Sequence, residues 1–177
     1  LVPLLFSLTD GTIKSGFIKG FVDGFVFNVG LLYWITFVIV NYGYLPVTIG
    51  ISAMLLMAAY LSLYVALVTA GVVYFRERGI YQIIAAPLLW TSLEYGKSHL
   101  LTGFPWENLA YSQYLYTPLI QIADITGIYG LTFVIVFINS VICDILTGLI
   151  HERKGRARQH LLMKAMCGFL IITALWI

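Results

Sequence analysis

The sequence predicts an all-α fold: a polytopic transmembrane helix bundle of about five spans plus a partial one, itself part of a larger bundle. Three observations carry that expectation. Of the 177 residues, 60% are hydrophobic and only 10% charged, where soluble domains run nearer ~25% charged, and mean hydropathy is +0.93. The basic residues fall in short clusters between long apolar runs. No charged residue lies between Asp23 and Arg76; as one helix that stretch would run ~80 Å against a hydrocarbon core of ~30 Å, so it must fold back on itself.

Charge positions then segment the chain, because a charge at the bilayer centre costs ~2.5–3.5 kcal/mol. Residues 1–8 read as the tail of a span, followed by a polar turn over 9–19 that holds Asp10, Gly11, Lys14 and Lys19. A span over about 20–40 meets the turn 41–46, where Gly43 and Pro46 punctuate and Tyr42 and Tyr44 suit an interface. A second span over 46–75 is closed by Arg76, Glu77, Arg78 and Gly79, and a third covers 80–99. The segment 100–117 is aromatic and polar, too irregular to face lipid, and loops of that length tend to be functional. A fourth span over 119–150 ends in the basic block 152–158, and a fifth occupies 161–177. The chain opens and closes inside apolar stretches, so a longer parent protein is expected.

The basic turns (Lys14 and Lys19; Arg76 and Arg78; 153–158) alternate with the 41–46 turn and the 100–117 loop, which hold no Lys or Arg. By the positive-inside rule the basic side is cytoplasmic. The 100–117 loop is then extracytoplasmic, facing the periplasm if the membrane is a bacterial inner (plasma) membrane. Ala58, Ser62, Ala66 and Ala70 recur at four-residue spacing and predict a close helix seam, while Tyr60 and Tyr64 mark another face that could line a groove.

Several function classes lose support. A net charge of +2 gives no footprint for nucleic acid. Cys143 and Cys167 lie in apolar runs where a thiolate is disfavoured, and they form no C-x-x-C pair. No P-loop, G-x-G-x-x-G motif or metal-ligand spacing appears, so neither a metal nor a cofactor is expected. Without an inverted repeat or matched helix interruptions, a small-solute transporter is a weaker alternative. Ionisable groups in the outer half of a membrane chain are the natural candidates for function; here they are Glu94, Lys97, His99, Glu107 and Asp124. Glu94 and Lys97 are spaced to form an ion pair on one helix face. A triad of Ser98 or Ser112 with His99 and Asp124 is conceivable, but no G-x-S-x-G elbow supports it.

The string LLTGFPWENLAYSQYLYTPLIQIADITGIYG (residues 100–130) closely resembles a segment of bacterial apolipoprotein N-acyltransferases, and the likeness extends to IAAPLLWTSLEYGK (84–97), LLMAAYLSLYVALVTAG (55–71), and Gly30, Trp34 and Pro46. It covers roughly residues 20–150, with G-F-P-W followed by Y-S-Q as its most specific part. The resemblance implies an enzyme that moves an acyl chain from a phospholipid donor to the α-amine of the S-diacylglyceryl cysteine of an apolipoprotein acceptor. It also implies a carbon-nitrogen hydrolase domain with a Glu-Lys-Cys triad, expected beyond Ile177, so no catalytic residue is assigned in this chain and the chain alone is expected to be inactive. Glu94, Gly103, Phe104, Pro105, Trp106, Tyr111, Ser112, Gln113 and Asp124 become the candidates for lipid contact or domain docking. Ala110 stands where the family usually has Gly, and Lys97 where it often has Arg. A related membrane anchor of a polyprenyl-phosphate sugar synthase is the alternative within the resemblance.

Overall fold

The computed structural model describes residues 1–100, 103–104 and 106–151, and every described element is helical. A short α1 (Val2–Ser7) leads into the long helices α2 (Ile13–Asn41) and α3 (Val47–Glu77), then α4 (Gln82–Lys97). A 3-10 helix (Leu109–Gln113) and the short α5 (Thr117–Ile120) follow before α6 (Ala123–His151).

Three helices, α2, α3 and residues Ala123–Ile150 of α6, which is interrupted near its start by a non-helical Gly127, are long and apolar enough to cross a membrane. The expected count of five is not reached among the described residues. The expected 80–99 span is the 16-residue α4, about 24 Å long at 1.5 Å per residue, and 152–177, which hold the basic block, Cys167 and the fifth expected span, lie outside the described residues. The expected polar turn 9–19 is also shorter in fact: α2 begins at Ile13, with Thr12 as N-cap accepting from Ser15 N–H at 3.3 Å. Lys19 is tolerated inside the helix because its ammonium reaches back to the Ser7 carbonyl at the end of α1.

The α2–α3 pair is the spine of the fold. The small-residue stripe of α3 places Ala58, Ser62 and Ala66 fully buried, and its partner is a stripe on α2, Gly16, Gly20 and Gly24, continued by Asn28. With no driving force from water between helices in lipid, close backbone approach and interhelical hydrogen bonds must hold them. A methyl group added at Gly20 would sit 2.9 Å from the Val65 carbonyl oxygen, so only glycine lets the two backbones meet there. Thr69 Oγ1 donates across the seam to Gly16 O at 2.9 Å, and Asn28 Nδ2 to Ser62 Oγ at 3.3 Å.

At one end of the bundle Arg76 gathers three carbonyls from the chain leaving α1: those of Leu8, Thr9 (2.6 Å) and Gly11 (2.6 Å). A cation on a helix C-terminus satisfies carbonyls that have no intrahelical partner. Lys19 and Arg76 therefore sit together at this end, and Arg78 lies 3.6 Å over the Tyr74 ring. The buried cluster around Leu5, Leu8, Val72, Val136 and Cys143 packs behind them. Large side chains on the outer faces of the long helices stay exposed, Val26 at 69% and Leu56 at 72%, as a surface solvated by lipid requires.

Candidate functional site

The opposite end carries the loop between α4 and α6, held from below by α4. Glu94 is 6% exposed, and its carboxylate accepts from the Leu109 backbone N–H at 2.7 Å and from the Thr132 hydroxyl of α6 at 2.6 Å. One turn on, Lys97 is 8% exposed and donates to the Trp106 carbonyl at 3.2 Å. Among the described residues no direct ion pair joins Glu94 to Lys97; the anion takes an amide and a hydroxyl, and the cation takes a carbonyl. Two charges of α4 thus fix the loop backbone at residues 106 and 109. Charge-assisted hydrogen bonds to buried groups are worth ~1.5–3 kcal/mol each, so the clamp is a strong one.

The loop folds back onto α4 at once. Phe104 N–H donates to the Lys97 carbonyl at 3.0 Å, and Gly103, at φ +78°, makes the turn. A side chain at Gly103 would run into the Ser98 carbonyl. Pro105 lies outside the described residues. Trp106 stacks between Phe104 (6.1 Å, 27°) and Trp34 of α2 (5.7 Å, 21°), so the same short segment is tied to a third helix by aromatic contact.

Between the two clamp points stand Glu107 and Asn108. Glu107 has φ +66°, a left-handed backbone that costs a non-glycine residue energy. Its Oε1, both polar side-chain atoms of Asn108 and the Thr91 hydroxyl are buried with no hydrogen-bond partner among the described residues. Burial pushes the Glu107 carboxyl above the usual carboxylate range, and the Lys97 ammonium opposes that rise. Strain and unmet polar groups therefore concentrate in a two-residue turn held rigid at both sides.

The remaining candidates are spread along the loop. Tyr111 is 48% exposed. Ser112 Oγ donates to Leu109 O at 2.7 Å and accepts from Gln113 Nε2 at 3.0 Å. Asp124 is exposed in the first turn of α6. His99 Nδ1 meets the Tyr95 carbonyl at 2.8 Å and Ser98 Oγ donates to Glu94 O at 3.0 Å, so neither serine engages His99 and the triad is not assembled. Ala110 sits buried in the 3-10 helix with no positive φ, so this position does not need glycine. Cys143 is 1% exposed, borders a cavity of about 260 Å³ near Arg76 at the opposite end, and receives Gln82 Nε2 at 3.6 Å. Among the described residues no group of three or more His, Cys, Asp or Glu could hold a metal ion.

Reading the sequence alone misses Thr132, Asn108 and the glycine stripe. Thr132 is a single polar residue flanked by apolar ones, a signal any membrane helix shows by chance, and Asn108 follows Glu107 in a loop already rich in polar residues, where nothing local sets it apart. The four-residue spacing of Gly16, Gly20 and Gly24 was a usable signal.

Long apolar helices packed by small residues, with an ordered polar and aromatic loop clamped at one end, define a multi-pass membrane domain. Residues 1–141 match the family profile of the apolipoprotein N-acyltransferase N-terminal domain, and the chain belongs to that family. It is 47% identical over 146 residues to the apolipoprotein N-acyltransferase of Geobacter metallireducens, covering 82% of this chain and 28% of that protein. It is 29% identical over 150 residues to that of Pasteurella multocida (85% and 28%), and 30% identical over 157 residues to that of Coxiella burnetii (87% and 30%). The chain thus spans less than a third of the length of these curated relatives.

Proposed function

We propose that this chain is the membrane platform of an enzyme that transfers a fatty acyl chain from a phospholipid to the N-terminal α-amine of the S-diacylglyceryl cysteine of lipoproteins. Family membership over residues 1–141 is the observation that carries this reading. The clamped loop supports it, because Glu94 and Lys97 hold its backbone in place beside lipid-facing helices, where a lipid headgroup would have to be presented to a reaction centre. The platform sits in a bacterial inner membrane, with the loop on the extracytoplasmic side and the Lys19 and Arg76 end in the cytoplasm.

The chemistry belongs to other parts of the whole protein. A thioester mechanism needs an activated thiolate, and Cys143 is fully buried with the Gln82 amide and the Thr147 side chain beside its thiol. The test is acyl transfer by the full-length protein in phospholipid vesicles, with a diacylglyceryl-cysteine peptide as acceptor and mass spectrometry of the product. The expected product is an N-acylated peptide, formed equally well by Cys143→Ala and not formed by this chain alone. Absence of that product with full-length, folded protein, or loss of it in Cys143→Ala, overturns the reading.

A further inference from the structure

We propose that the segment from Leu109 to Thr126 is a lip embedded in the outer leaflet, lying at the boundary between headgroups and acyl chains and not standing in water above it. The inference rests on the long helices crossing a bilayer and is independent of the acyl-transfer reaction.

Three observations support it. Asp124 is the one charged residue of the segment, and the large side chains there are turned outward: Tyr114 is 73% exposed, Leu115 74%, Tyr116 62% and Ile125 90%. A water-exposed loop would have no reason to present this surface, whereas tyrosines beside aliphatic residues are what the membrane interface selects. The backbone also pairs locally: Tyr114 N–H bonds Tyr111 O at 3.3 Å, Tyr116 N–H bonds Gln113 O at 2.8 Å, and Leu119 N–H bonds Tyr116 O at 3.0 Å. Such pairing lowers the cost of leaving water. Finally, Gly127 breaks α6 with φ 67° and ψ −177°, a conformation open only to glycine. The turn before it is therefore not a continuation of the crossing helix, and Ile125 points away from the bundle.

The occupant is the lipid leaflet itself. With no basic residue in the segment, insertion depends on apolar area and not on anionic headgroups.

Nitroxide labels at Leu115→Cys and Ile125→Cys, in full-length protein with both Cys143 and Cys167 replaced by Ala, test this in phosphatidylcholine vesicles. The expected ratio of oxygen to nickel-chelate accessibility is several-fold above that of a label at Glu77→Cys, and unchanged when anionic lipid is added. A ratio equal to that at Glu77, low accessibility to both reagents (cover by protein), or depth that appears only with anionic lipid each overturns the proposal. Should the labelled variants fail to fold, a benzophenone amino acid at Tyr114 gives the same decision: a phospholipid adduct supports the lip, and cross-linking to protein alone overturns it.

Discussion

The Thr132 hydroxyl of α6 donates to the Glu94 carboxylate of α4 at 2.6 Å, while the other carboxylate oxygen holds Leu109 N–H at 2.7 Å. A single buried anion thereby joins two helices and the loop between them. Burying a carboxylate is costly unless its oxygens are satisfied, and here each has a donor.

Glu94→Gln keeps one acceptor oxygen and is expected to cost ~1–2 kcal/mol, whereas Glu94→Ala leaves Leu109 N–H and the Thr132 hydroxyl without their acceptor, removes a negative charge from beside the buried Lys97, and is expected to cost ~3–5 kcal/mol. Unfolding in mixed micelles with increasing SDS measures both. Equal losses for the two variants would show that the hydrogen bonds are not what Glu94 supplies.

The α2–α3 seam makes a sharper contrast. Gly20→Val forces a branched side chain against Thr69 and the Val65 carbonyl and should cost ~2–3 kcal/mol. Gly30 has nothing within 4 Å of an added methyl group, so Gly30→Val should change stability by no more than ~0.5 kcal/mol. Similar losses at the two positions in the same SDS titration would contradict the close approach at Gly20.

Glu107 gives a pH signature. Burial raises its carboxyl in the folded chain, so the folded state holds this proton more tightly than the unfolded state does. Its contribution to stability is therefore fully present below the ordinary carboxylate range and is lost as pH rises through the folded value. Glu107→Gln should flatten the stability profile across that window while leaving the acidic limb in place. A profile identical to that of the unaltered protein would remove Glu107 from the account.

Orientation is testable by side-specific labelling. In whole cells His99→Cys, exposed just past the end of α4 and outside the Leu109–Thr126 segment, should react with an impermeant thiol reagent and Glu77→Cys should react only after the membrane is opened, both in a background lacking Cys143 and Cys167. The reverse pattern would place the clamped loop in the cytoplasm and remove its access to an extracytoplasmic acceptor.

The class of fold is already present in the amino-acid order. Composition and charge spacing suffice for that, because the cost of a charge in lipid acts on each residue separately and leaves its mark in one dimension. The end of α3 at Arg76 and Arg78 was legible for that reason, Gly43 and Pro46 marked the turn within the charge-free run, and the specific G-F-P-W and Y-S-Q strings placed the family. The length of α4 and the start of α2 were not legible, since Lys19, Glu94 and Lys97 look like boundary charges until their partners are known. Only the tertiary structure supplied those partners: Ser7 for Lys19, Thr132 and Leu109 for Glu94, Trp106 for Lys97. Each joins residues on different elements, and hydrogen bonds between elements depend on three-dimensional distance, which no local pattern in the chain records. The same holds for Gly20 against Thr69 and for Trp34 against Trp106, where the contact exists because the helices cross there, and for Glu107, whose strained turn exists because α4 grips the chain on both sides of it.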